Sequence, residues 1–72
     1  MKKISIEVAA ELMGKSSQFV RVGMQQGTIP IGAAVKNKGR YSYYISPGKL
    51  REFLGMDVHE FNTRVKELRW PQ

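Results

Sequence analysis

The sequence predicts a small α+β domain, and three observations lead there. Two helix signals near the start are separated by only about three residues, the spacing of a helix-turn-helix. A glycine-containing turn, "NKGR", then joins two β-rich runs, and two further capped helix starts follow. Helix, helix, hairpin, helix, helix within 72 residues is the order of a winged helix-turn-helix. No repeat, linker or low-complexity stretch divides the chain, so residues 1–72 read as a single domain, with residues 4–54 as its central motif and 57–69 as a C-terminal helix.

Ser5 is placed to cap the first helix, whose Val8, Ala9, Leu12 and Met13 fall at i, i+1, i+4 and i+5 on one stripe, and Gly14 ends it. After the turn at Lys15, Ser16 is positioned to accept from the first free amides of a second helix, about Ser17 to Gln26, closed by Gly27. Pro30 prevents continuation. Strands are expected over about Ala33 to Lys36 and Tyr41 to Ile45. Ser46 and Pro47 form a cap and first-turn proline for a third helix to about Leu54, with Leu50, Phe53 and Leu54 on its apolar face and Gly55 beyond. Asp57 with Glu60 three residues later starts a fourth helix, in which Val58, Phe61, Val65 and Leu68 recur at near-heptad spacing. The tail "RWPQ" is expected to fray.

A chain this short buries only about 60% of the surface its unfolded form exposes. With no cysteine, it has neither disulfides nor a cysteine-ligated zinc to help, and must rely on apolar packing. The start "MKKISIEVAAELMG" has the basic opening of a signal peptide, but Glu7 and Glu11 interrupt its apolar region, and no stretch approaches membrane-spanning length. A cytoplasmic protein with no membrane partner is the expectation.

Net charge is +6, and its distribution says more than its size. Residues 1–14 are neutral overall and 52–72 carry one net negative charge. All the excess lies between, where Lys15, Arg21, Lys36, Lys38, Arg40, Lys49 and Arg51 occur without a single acid. That pattern suits a surface held against phosphates; a solvated basic face is the alternative.

On a helical wheel, Phe19, Val20, Gly23, Met24 and Gly27 take the core side of the second helix, where Gly23 would let the first helix approach closely. The other side collects Ser17, Gln18, Arg21, Val22 and Gln25. Each has a use in a major groove: glutamine pairs with adenine, arginine with guanine or a phosphate, and valine covers a thymine methyl. The hairpin tip adds Lys36, Lys38 and Arg40 around a glycine turn, a cationic shape that fits a minor groove or lies along phosphates. Tyr41, Tyr43 and Ile45 share one strand face and Ser42 and Tyr44 the other. A lone hairpin is a small platform for base stacking, so at least one tyrosine is expected to pack in the core, and one hydroxyl, with Tyr41 as a site candidate, to reach a phosphate.

"ISIEVAAELMGKSSQFVRVGMQQGTIP" resembles the opening of the MerR-type winged-helix group, in particular the small phage and mobile-element excisionases: an apolar-Glu-Val-Ala helix, a glycine turn, a serine cap, an arginine in the second helix and a Gly-apolar-apolar-Pro exit. "VKNKGRYSYYIS" is similar to the excisionase wing. The likeness covers about residues 4–54 and rests on short, mostly structural motifs. It implies that Arg21 is the helix arginine that contacts double-stranded DNA and Arg40 the wing-tip arginine. It also implies a recombination directionality factor acting beside an integrase or other recombinase, or with further copies on adjacent sites; others of the group repress transcription. Two departures bear on this. The aromatic pair that follows the helix arginine in MerR regulators is replaced by Val22 and Gly23, and no long dimerisation helix or effector domain follows, so metal or drug sensing is not expected.

An enzyme would need a positioned nucleophile, base or metal. His59 is the only histidine, Glu7 and Glu11 read as a solvated helix face, and "GKSS" lacks the upstream glycine and strand of a phosphate loop. Neither catalysis, a cofactor nor a small-molecule ligand is expected. A different class remains open: an interaction module in which the fourth helix docks on a protein through Phe61, Val65, Leu68 and Trp70.

Overall fold

Serine and aspartate side chains start all four helices. In a computed structural model, which describes residues 4–69, the order is α1 (Ile6–Met13), α2 (Ser17–Gln26), β1 (Gly32–Asn37), β2 (Arg40–Ile45), α3 (Pro47–Leu54) and α4 (Val58–Arg69). Ser5 Oγ accepts from the Val8 N–H at 3.1 Å, Ser16 Oγ from Phe19 at 3.1 Å, Ser46 Oγ from Lys49 at 3.3 Å and Asp57 Oδ1 from Glu60 at 2.7 Å. Each such cap satisfies an amide with no partner inside its helix, and its loss typically costs about 1 kcal/mol. The described residues form an α+β fold, four helices with one two-stranded antiparallel sheet.

Both strands run further than their β-rich residues suggested. Pairing continues from Gly32 opposite Ile45 to Asn37 opposite Arg40, because the turn between them has only two residues. Lys38 and Gly39 have φ of 54° and 79°, the left-handed pair that matches the twist of a tight hairpin.

The core joins all the elements. Val20 of α2, Ile31 of the link and Leu50 of α3 are fully enclosed, and Ile4, Ala9, Ala10, Leu12, Met24, Ile29, Ile45 and Phe61 complete the buried cluster. Pro30 therefore does more than stop α2. It sits between Ile29 and Ile31, so the link plunges into the core on both sides of it. Ile31 also accepts the Ser46 N–H at 2.8 Å, which ties the start of α3 to the start of the hairpin.

Several expected core positions lie elsewhere. Phe19 is 50% exposed, because it falls at the edge of the arc formed by Val20, Gly23 and Met24 and because Ile29 already fills the space over Gly23. The close approach at Gly23 is thus made by Ile29, not by α1: a methyl group there would overlap the Ile29 side chain. Phe53 and Val58 are exposed, whereas Leu50 and Phe61 of the same stripes are buried. Val65 and Leu68 pack half-buried against the core, α4 lying along α1. Trp70 and the last residues of the "RWPQ" tail lie outside the described residues. Among the described residues no helix is long and apolar enough to cross a membrane.

Candidate nucleic-acid interface

Burial of Val20, Gly23 and Met24 turns the opposite side of α2 outward, and that side carries Gln18, Val22 and Gln25. Arg21 flanks it toward α1, with Ser17 one turn before it, and Phe19 and Gln26 flank it toward the link. The exposed arc is therefore wider than the wheel suggested. A shallow groove runs beside it, lined by Gln18, Phe19, Val22, Gln26 and Ile29, so Val22 is a half-buried wall rather than a projecting group. Lys15 adds charge at the same end, its Nζ 5.4 Å from the centre of the Phe19 ring, within cation–π range.

Arg21 is not surrounded by cations and amides alone. Its Nη2 donates to Glu7 Oε2 of α1 at 3.3 Å, with 36% of the arginine side chain and 67% of the glutamate side chain exposed. The acid-free stretch from Lys15 to Arg51 thus meets an acid in space, fourteen residues away in sequence. Glu7, read as a solvated position, becomes the residue that steers the Arg21 guanidinium. An exposed pair of this kind is worth about 0–1 kcal/mol. Glu7→Gln is accordingly expected to lower the thermal midpoint by no more than a few degrees; a fall above about 10 °C in a circular-dichroism melt would show that the pair is structural.

The hairpin divides its charges between two faces. Residues directly opposite in an antiparallel pair share a face, so Ala34 with Tyr43 and Lys36 with Tyr41 form one, and Val35 with Ser42 and Asn37 with Arg40 the other. The first face meets α2. Gln25 Nε2 donates to Tyr43 Oη at 2.5 Å, Tyr43 packs half-buried on the core, and its ring stacks on Tyr41 with centroids 6.1 Å apart and planes 25° apart. Ser17, Arg21 and Gln25, four residues apart along α2, therefore continue through Tyr43 to Tyr41 and Lys36 as one strip. The second face carries Arg40 at the tip, with Val35 and, nearer the base, Tyr44 on the same face, 58% and 59% exposed. Lys38 sits in the turn between them.

Of the seven central cations, two belong to another part of the molecule. Arg51 Nη1 donates to the Met56 carbonyl at 3.0 Å and closes the end of α3, while Lys49 lies with Pro30, Glu52 and Phe53 on a separate groove. Lys15, Arg21, Lys36, Lys38 and Arg40 remain on α2 and the hairpin or beside them. Tyr43, Glu7, Phe19 and Gln26 were absent from the sequence-based set of site residues. The alternation that puts Tyr43 on the face of Ile45 was its one available signal; the Glu7 contact had none. Among the described residues no three His, Asp or Glu side chains gather in a group that could hold a metal ion. The chain matches no protein-family model, no curated protein and no solved structure, so the reading of this surface rests on its own geometry.

Proposed function

We propose that α1, α2 and the hairpin form a winged helix-turn-helix that binds double-stranded DNA sequence-specifically, with α2 in a major groove and the hairpin as the wing on the flanking minor groove or its phosphates. The observation that carries this reading is the Gln25–Tyr43 hydrogen bond. It joins the exposed arc of α2 to one face of the hairpin, so that amide, guanidinium, phenol and ammonium groups lie along a single strip. Arg21 is placed on the major-groove side and Lys36 and Lys38 on the phosphates, while Arg40 faces the other wall of the groove that the tip enters. By its resemblance the protein is of the excisionase type, working in the cytoplasm beside a recombinase.

Steep salt dependence is the test. About five phosphate contacts give a slope of about −4.5 in log K against log salt, and Arg21→Ala is expected to weaken binding, by about 1–3 kcal/mol and at particular sites if Arg21 reads guanine. A flat salt dependence, measured by fluorescence anisotropy with a duplex oligonucleotide, sinks the proposal. A footprint beside an integrase core site supports excision, whereas protection over a promoter supports a transcriptional repressor. The interaction-module reading through α4 has less to stand on, since Phe61 is buried in the domain's own core and Val65 and Leu68 pack against it.

A further inference from the structure

Gln25 is an exposed side chain with its donor already committed inside the molecule. An unrestrained glutamine on a helix surface samples many rotamers, and the entropy lost on ordering it opposes binding. Here the Nε2 donates to Tyr43 Oη at 2.5 Å, and Tyr43 is itself fixed by the strand register, by packing on the core and by the Tyr41 ring. The carboxamide has two N–H groups and a carbonyl oxygen. With one N–H on Tyr43, one N–H and Oε1 are left.

That remaining pair is what adenine requires, since its major-groove edge presents N7 as an acceptor and N6–H2 as a donor. Gln25 also sits one helical turn beyond Arg21 on the outward side of α2. Resting on the duplex-binding reading above, we propose that Gln25 reads the adenine of one A·T pair and that Tyr43 is a positioning residue, holding the Gln25 carboxamide with its free donor and acceptor toward the base. Tyr43 thereby couples the hairpin to base choice without touching the base.

The experiment is selection from a duplex library with a randomised core, using the full chain, followed by affinities for the selected site and its single base-pair variants. Wild type is expected to prefer A·T at one position by about 5- to 150-fold, the range of a good bidentate contact. Gln25→Ala should erase the preference at that position and no other, and Tyr43→Phe should reduce it several-fold at the same position while the ratios elsewhere hold. In the double variant, Tyr43→Phe should add nothing to Gln25→Ala. Gln25→Glu, whose carboxylate accepts but does not donate, should move the preference toward cytosine, with N4–H2 as donor. Thermal melts of each variant exclude loss of fold as the cause. If Tyr43→Phe leaves every ratio unchanged, or lowers all of them alike, the positioning role is overturned; if Gln25→Ala leaves every preference intact, so is the adenine contact. Absence of any salt-dependent duplex binding by the wild type would instead remove the proposed function, and this inference with it.

Discussion

Leu50→Ala is expected to lower the thermal midpoint by more than about 10 °C. Leu50 is fully enclosed at the centre of α3, and its N–H is bonded to the Ser46 carbonyl at 2.9 Å, so its backbone is held while the side chain is cut back. The truncation removes the transfer free energy of the lost carbons and leaves a hole that fixed neighbours fill only in part, together about 2–5 kcal/mol. A chain of this length has about 4–11 kcal/mol in total, and each kilocalorie moves the midpoint of so small a domain by about 4–8 °C. A circular-dichroism melt measures the effect. A fall of less than about 4 °C would mean that α3 does not close the core in the way described.

Gly32→Ala is the second large effect, and it acts on the hairpin and the candidate interface together. A methyl group at Gly32 would overlap the Tyr44 carbonyl oxygen and lie 2.9 Å from the Ile45 Cα. These are backbone atoms of the paired strand, so no side-chain rotation relieves the clash and the strands must part at the base of the hairpin. Overpacking costs typically about 1–3 kcal/mol, and an obstacle made of backbone argues for the upper end. Parting the strands there also moves Tyr43 relative to Gln25, so duplex affinity should fall with stability. Gly48→Ala makes the contrast: nothing lies within 4 Å of the added methyl, and the unfolded chain loses freedom. That variant is expected to gain about 0.4–1 kcal/mol. If both alanines behave alike in melts, the close approach at Gly32 is wrong.

The two glycines show where sequence information is local and where it is not. "NKGR" announced a turn, and the residues around Ser46 announced a helix, because each signal acts within about four residues. Gly32 carries no such signal. Its requirement comes from the Tyr44 carbonyl, twelve residues along the chain and adjacent only because the strands pair. Phe19 illustrates the same limit in the core: periodicity put it on the core side of α2, but it is exposed, because the side chain that occupies the neighbouring space, Ile29, comes from a link with no periodicity to read.

By itself, the sequence determined the element order, all four helix starts, the hairpin and the concentration of cations between residues 15 and 51. Caps, turn residues and apolar spacing act over a few residues and need no knowledge of the rest. Only the tertiary structure decided which charges share a surface. It brought Glu7 to Arg21, sent Arg40 to the hairpin face opposite Lys36, turned Arg51 onto its own chain, and fastened Gln25 to Tyr43 eighteen residues away. The reason is physical: a side chain's partner is set by where packing brings two segments together, and for groups so far apart in sequence that depends on the whole core, with Ile29, Ile31 and Leu50 at its middle.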